Sequence, residues 1–148
     1  MNRKVWKFGC RWSDNGDPNT AIANSLFFKK SIAFANTHTV LDTRAGQLIA
    51  LANGYTVVAI GEIVGAPQRL EKLNIVLSAE DRIKYFNDEP DQYGEDDDTS
   101  NVCGCYVRYY ILDEKDRFQY KKIGRFFHAT GIEERINELF DKLSNKQQ

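Results

Sequence analysis

The segment AGQLIALANGYTVVAIGEIVGAP, residues 45–67, carries the strongest structural pattern in the chain. Two apolar runs flank Asn53-Gly54, a residue pair that favours the tight type I′ turn of a β-hairpin. Both runs are apolar at consecutive positions, which is typical of a hairpin that is buried on both faces of a closed or covered sheet. Gly61 interrupts the second run and predicts a bulge or a barrel bend, and Pro67 ends the run.

Further strands and helices are predicted on both sides of this hairpin. Asp17-Pro18 marks a helix start, because an N-cap is followed by proline at the first helical position. The predicted order is strand 4–12, helix 18–29, strand 31–37, the central hairpin, helix 78–87, a second hairpin over 101–112 and 118–129, and helix 131–143. The last helix has an apolar stripe of Ile132, Ile136, Leu139, Phe140 and Leu143. We therefore predict one α+β domain over residues 1–148, a small barrel of about six strands with peripheral helices.

Composition and charge narrow the classes of function. The chain has 148 residues, of which 42% are hydrophobic and 28% charged, as expected of a folded soluble protein. Its formal net charge of −1 conceals an acidic stretch, because residues 88–98 contain seven acids and no base. Without that stretch, 20 Lys and Arg face 14 Asp and Glu, a net charge of +6. A basic body with an acidic loop over 88–100 is compatible with a nucleic-acid partner, the loop being either a solubilising segment or a nucleic-acid mimic.

The cysteine count and the N-terminus bear on location. Three cysteines, an odd number, argue against a disulfide framework and favour a reducing cytoplasm. The basic N-terminus is not followed by the apolar run of a secretory signal. No apolar run approaches the roughly 20 residues of a membrane span. We therefore expect a cytoplasmic protein with no membrane association.

Few residues offer catalytic or metal chemistry. Cys103 and Cys105 lie two apart on a predicted strand and share a face, but a zinc site needs further ligands at suitable spacing. His38 and His128 lie near predicted strand ends, and the chain has no nucleophile elbow and no glycine-rich phosphate loop. We predict no catalytic residue, no metal and no cofactor, with a nucleotide-directed enzyme using His38 or Asp42 as the alternative.

The stretch VWKFGCRWSDNGDP, residues 5–18, contains two tryptophans in different settings. Trp6 lies within the predicted strand and is expected in the core. Trp12 follows where the strand meets turn-forming residues, so it fits either a lid on the core or the wall of a pocket for a planar ligand such as a nucleobase. Other candidate wall residues are Phe34 and Asn36 at the end of the second strand and Tyr55 at the start of the fourth.

The pieces WKFGCRWS, SIAFANT and GQLIALANGYTVVAIGEIVGAP together resemble the PUA-like superfamily, in particular its EVE and YTH-type branch. They also resemble related DNA-reading domains of some bacterial modification-dependent restriction systems. The resemblance covers roughly residues 5–67, with GQLIAL at 46–51 and AIGEI at 59–63 matching the glycine-led strand and its return. Gln47 stands where an acid is frequent, and the second half of the chain matches no part of the pattern.

The resemblance implies a bacterial-type barrel that holds a base, often a methylated one, in an aromatic slot after extrusion from its stack. The residues matching that slot are Trp12, Ser13, Phe34, Ala35 and Asn36, to which the strand pattern adds Tyr55. The candidate phosphate contacts near them in sequence are Arg11, Lys29, Lys30 and Arg44.

We therefore expect a non-catalytic protein that binds DNA or RNA, with homo-oligomerisation left open. The rival interpretations are a protein-interaction or regulatory module on the same barrel, and the enzyme named above. The second predicted hairpin interleaves basic and aromatic residues, which either extend a nucleic-acid surface or form a solvated outer face. These residues are Arg108, Tyr109, Lys121, Lys122, Arg125 and Phe126.

Overall fold

A mixed β-sheet with helices on both faces forms the body of the protein. The computed structural model describes residues 2–10, 26–35, 37–73, 102–122 and 124–146. The strands are β1 (Val5–Cys10), β2 (Ile32–Ala35), β3 (Leu48–Asn53), β4 (Thr56–Ile63), β5 (Gln68–Arg69), β6 (Cys103–Ile111), β7 (Phe118–Gln119) and β8 (Phe126–His128). The α-helices are α1 (Leu26–Lys30) and α2 (Glu133–Lys146), and the 3₁₀ helices span His38–Asp42, Leu70–Leu73 and Glu114–Asp116.

These strands form one eight-stranded sheet that curls into a half-barrel. Its order is β2-β6-β4-β3-β1-β8, with β5 paired to β6 and β7 paired to β4. β1 and β3 run parallel, and the other paired strands are antiparallel. The predicted α+β class is confirmed. The prediction of a closed barrel of about six strands is corrected, because the outermost strands β2 and β8 do not pair with each other in the described part of the chain.

The predicted second hairpin is wrong. The segment after β6 turns through the 3₁₀ helix Glu114–Asp116, β7 pairs with β4 instead of β6, and β8 crosses to pair with β1. Gly124, in the crossing between β7 and β8, has a φ of +149°, a conformation that suits glycine. The Lys7 ammonium donates hydrogen bonds to the carbonyl oxygens of Gly124 (2.6 Å) and Lys122 (3.4 Å). The crossing therefore depends on contacts distant in sequence.

The central hairpin of β3 and β4 is confirmed, with its turn shifted by one residue. Asn53 pairs with Thr56, so Gly54 and Tyr55 form the turn. Gly54 has a φ of +62° while Tyr55 does not have a positive φ, which is the pattern of a type II′ turn instead of the predicted type I′. The register shift in the hairpin lies between Leu51 and Ala52.

Two hydrophobic cores lie on the two faces of the sheet. The first joins Trp6, Phe8 and residues of β2 and β6 to Phe27 of α1 and Val40 of the first 3₁₀ helix. The second joins Leu48, Ala50 and Ile60 to α2. The predicted α2 stripe is confirmed, with Ile136 and Phe140 buried and Ile132, Leu139 and Leu143 packed beside them.

Asn137 fastens α2 to the N-terminal segment. Its side-chain oxygen accepts a hydrogen bond from the Arg3 backbone N–H (2.8 Å), and its amide nitrogen donates to the Arg3 carbonyl (3.0 Å). Asn137 is buried, so both bonds are shielded from water. This reciprocal pair fixes the start of β1 against the helix.

Some predictions lie outside the described residues. These are the helix over 78–87, the acidic loop over 88–100 and the first part of the helix over 18–29. Within the described ranges, no helix has both the length and the apolar character needed to cross a membrane.

Gly61 lies in a regularly paired part of β4, so the predicted bulge at this position is wrong. It pairs with Ile49 on one side and Tyr109 on the other. A Cβ at Gly61 would overlap the Val107 side chain and approach Tyr109 Cδ1 to 3.1 Å. Close packing against β6 therefore requires glycine here.

Gly61→Ala is expected to lower the free energy of unfolding by about 1–3 kcal/mol, because the added methyl overpacks the core. Urea unfolding followed by circular dichroism measures the change. Gly65→Ala is the matched control, since its Cβ would lie an ordinary 3.5 Å from the Tyr106 ring. Equal stability of the two variants would contradict the packing role of Gly61.

Candidate functional site

The described residues of the predicted base pocket differ in exposure. Phe34 is 1% exposed, and its ring centroid lies 5.0 Å from that of Phe27 in the first core. Ala35 is fully buried beside it. Tyr55 is 39% exposed in the β3–β4 turn. Trp12, Ser13 and Asn36 lie outside the described residues.

The sheet topology separates the ends of β1 and β2. Cys10, the last residue of β1, pairs with Asn53 next to the turn that contains Tyr55. Ala35, the last residue of β2, pairs with Cys103 at the start of β6. Because β1 and β2 run in opposite directions, the last residues of the two strands lie at opposite ends of the sheet along the strand direction. The structure thus brings Tyr55 to the end of β1 and does not bring Phe34 there, and the pocket as a whole stays a prediction.

The predicted phosphate contacts lie on exposed surface where they are described. Lys29 and Lys30 are exposed in the last turn of α1 and form no ion pair with any described side chain. Arg44 is also exposed, and its Nη1 donates to the carbonyl oxygens of Leu41 (3.1 Å) and Thr43 (2.7 Å) after the first 3₁₀ helix. Arg11 lies outside the described residues.

Trp6 is a core residue, as predicted, and Gln47 holds it in place. The Gln47 side-chain oxygen accepts hydrogen bonds from Trp6 Nε1 (2.8 Å) and from the Arg44 backbone N–H (2.9 Å). Trp6 is 3% exposed and stacks on Phe126 at 5.8 Å. A neutral amide at position 47 therefore serves both donors without placing a charge at the edge of the core.

The groups considered for catalysis or metal binding are dispersed. His38 and Asp42 are both exposed on the first 3₁₀ helix. Burial raises the pKa of the Cys105 thiol to about 12, partly offset by a hydrogen bond with Thr43, and burial also raises the pKa of Cys103. Across the described ranges, no three His, Cys, Asp or Glu side chains group so that they could hold a metal ion.

A surface cleft of about 290 Å³ forms around the middle of β6. Its lining residues are Ser31, Val64, Val107, Arg108 and Tyr109. The Val107 N–H donates to the Ser31 carbonyl (2.8 Å) at one edge of β6, and the Val64 N–H donates to the Tyr106 carbonyl (2.9 Å) at the other. Backbone hydrogen bonds thus hold both sides of the cleft in place.

Charged and aromatic residues of β6 lie in this cleft and next to its lining residues in the strand. The Arg108 side chain is 65% exposed, with Nη1 4.0 Å from Glu62 Oε1, while Arg3 Nη1 lies 2.8 Å from Glu62 Oε2. Two guanidinium groups therefore share one carboxylate. Tyr106 is 38% exposed, and its hydroxyl donates to the Leu73 carbonyl (2.9 Å).

Comparisons with known proteins assign neither a family nor a function to the chain. No protein-family model, curated protein or solved structure matches the chain. The resemblance to the PUA-like superfamily therefore stays a prediction. The candidate site is assigned from the geometry of the chain itself.

The basic and aromatic residues predicted in the second half divide between two places. Arg108 and Tyr109 line the cleft. Lys121, Lys122 and Arg125 are exposed between β7 and β8, and Phe126 is buried in the first core. No local sequence signal marked Ser31 or Val64, because the backbone pairing with β6 is what brings them to the cleft.

Neither Cys103 nor Cys105 is expected to react with iodoacetamide in the folded protein at mildly alkaline pH, since the thiolate is the reactive form, both side chains are buried, and burial raises the pKa of both thiols. Tandem mass spectrometry of the labelled peptide measures the extent of reaction at each position. The same chain in concentrated urea is the control and should react at both. Native-state labelling as fast as in urea would show that the thiols are accessible.

Proposed function

We propose that this protein binds nucleic acid through its basic, sheet-built body and carries out no chemistry on it. The observation that carries the proposal is the distribution of charge. Residues 88–98 hold seven of the 21 acids and no base, so the other residues contain 20 Lys and Arg against 14 Asp and Glu, a formal net charge of +6, although the whole chain has −1. A positive body attracts the phosphate backbone and gains free energy by releasing its counterions.

The fold supports this proposal because its apolar residues are used on both faces of the sheet. The first core lies on the face of the sheet that α1 and the first 3₁₀ helix cover, and the second lies on the face that α2 covers. Charged side chains are therefore exposed on the helices and on the connections outside these cores. Lys29 and Lys30 are exposed in the last turn of α1 and have no carboxylate partner among the described side chains. Such lysines are available to contact phosphates, which position a nucleic acid without reading its sequence.

The finer proposal is recognition of a modified or extruded base near the end of β1. It is supported by the resemblance over residues 5–67, in which Trp12 follows the first strand, and by exposed Tyr55 beside the end of β1. An aromatic ring offers a stacking surface to any base. Phe34, which is buried against Phe27, has a packing role in this arrangement.

Fluorescence anisotropy with labelled DNA and RNA oligonucleotides, single- and double-stranded, methylated and unmodified, tests the proposal. The logarithm of the association constant should fall linearly with the logarithm of salt concentration. The double variant Lys29→Gln/Lys30→Gln should reduce that slope on single strands by about 1.4, since each phosphate contact contributes about 0.7.

The matched control is Lys115→Gln/Lys142→Gln, which removes the same charge from the 3₁₀ helix after β6 and from α2. Its salt slope should stay close to that of the unaltered protein. Absence of oligonucleotide binding at low salt, or an affinity independent of salt, would refute the proposed function.

Trp12→Ala separates base recognition from backbone binding. Loss of the stacking surface should weaken binding of the preferred base by roughly tenfold, in line with about 1–3 kcal/mol per stacked base. The salt slope should not change, because phosphate contacts remain. Unchanged affinity for every oligonucleotide would refute a base pocket at Trp12 without contradicting the proposal that the protein binds nucleic acid.

A further inference from the structure

We propose that the cleft around the middle of β6 holds a phosphodiester group of a single-stranded nucleic acid. The Ser31 hydroxyl and the Arg108 guanidinium contact the phosphate, and the Tyr106 ring supports the adjacent base. This site is separate from the residues that the sequence pattern assigned to a base pocket. It rests on the proposed function, because a phosphodiester cleft needs a nucleic acid to fill it.

Ser31 has an unfavourable backbone conformation. Among the described residues other than glycine, Ser31 alone has a positive φ, +51°. It directly follows α1, at the position where helices commonly end in glycine because a side chain is unfavourable in the left-handed conformation. Strained backbone of this kind clusters at ligand-binding sites. Ser31 lines the cleft in this conformation.

The hydroxyl of Ser31 is available to a ligand. It makes no hydrogen bond to any part of the chain that the structure describes, whereas the Ser31 carbonyl accepts from the Val107 N–H at 2.8 Å. The backbone thus fixes the position of the residue, while its hydroxyl has no hydrogen bond within the described part of the chain. A hydroxyl that donates to a charged phosphate oxygen forms one of the stronger hydrogen bonds in proteins.

Charge complementarity selects an anionic occupant. Arg108 Nη1 is 4.0 Å from the Glu62 carboxylate, too far for a hydrogen bond, while Arg3 contacts the same carboxylate at 2.8 Å. Arg108 therefore keeps guanidinium donors for a planar, bidentate contact with phosphate. Exposed Lys30 precedes Ser31 and adds a further positive charge.

Tyr106 narrows the occupant to a single strand. It lies two residues before Arg108 on the same face of β6, and its hydroxyl bond to the Leu73 carbonyl fixes the partly exposed ring. Proteins that bind single-stranded nucleic acid combine cations that contact the backbone with aromatic rings on which bases stack, and Arg108 and Tyr106 offer one group of each kind. Bases in a duplex are stacked on each other and cannot use the ring in this way.

Ser31→Gly gives the sharpest test, because it removes the hydroxyl and relieves the left-handed backbone at once. Anisotropy with single-stranded DNA and RNA oligonucleotides should show affinity at least about tenfold weaker, as for loss of a hydrogen bond to a charged group. The urea midpoint should be unchanged or higher. Ser31→Ala should weaken binding equally without raising the midpoint, whereas a purely structural serine would alter stability and leave binding unaffected.

Charge variants complete the test on the same oligonucleotides. Arg108→Gln should weaken binding and reduce the salt slope by about 0.7, and Glu62→Gln should tighten binding by removing the competing carboxylate. Lys115→Gln, an exposed lysine beyond the end of β6, is the control for general loss of charge. Its affinity should stay within about twofold of the unaltered protein.

Two results would overturn the inference in distinguishable ways. If the unaltered protein binds oligonucleotides and the Ser31 and Arg108 variants bind equally well, the cleft is not the site and the proposed function stands. If the unaltered protein binds none of them, the proposed function fails as well. Self-association in sedimentation analysis that Tyr106→Ser abolishes would then identify this face as a protein interface.

Discussion

The burial of the β3–β4 hairpin on both faces is the constraint on which the rest of the structure depends. Residues 48–52 are fully buried, and their alternate side chains enter different cores. A hairpin of this kind needs apolar cover on two sides. Helix α1 and the first 3₁₀ helix contribute cover on one face, and α2 contributes it on the other. Charged side chains are consequently exposed outside the two cores, where binding of nucleic acid is proposed.

β1 connects this hairpin to the last third of the chain. It pairs in parallel with β3 and antiparallel with β8, and Lys7 ties it to the carbonyl oxygens of the connection before β8. Lys7 is 3% exposed, so these carbonyls replace the water that its ammonium would otherwise bind. A Cβ on Gly9 would come within 2.6 Å of the Lys7 nitrogen, so glycine at position 9 leaves room for it. Lys7 thus adds polar contacts that hold the connection before β8 against β1.

The sequence predicted those features that depend on local pattern. The central hairpin, the apolar stripe of α2 and the core position of Trp6 follow from hydrophobic periodicity over a few residues. The prediction of a second hairpin is wrong because the apolar pattern of a strand does not indicate which other strand it pairs with. Residues 118–119 and 126–128 pair with β4 and β1, which are far away in sequence. The reason for Gly61 was also missed, since it is contact with Val107 across the sheet.

The candidate site was predictable only in part for the same reason. Arg108 and Tyr109 stood out as a basic and aromatic pair in one strand, whereas Ser31 reaches them through a backbone hydrogen bond to Val107, which is far away in sequence. The positive φ of Ser31 leaves no mark in the sequence, where a glycine would have signalled it. Phe34 lies near the predicted end of the second strand. In the structure that strand ends at the opposite end of the sheet from the last residue of β1.

Titration of ¹⁵N-labelled protein with a short single-stranded oligonucleotide, followed by amide chemical shifts, tests the central claim most directly. The largest shifts are expected at Ser31, Val64 and residues 106–109, with the amides of α2 nearly unchanged. Large shifts confined to α2 or to the β7–β8 connection, with the cleft amides unmoved, would contradict it.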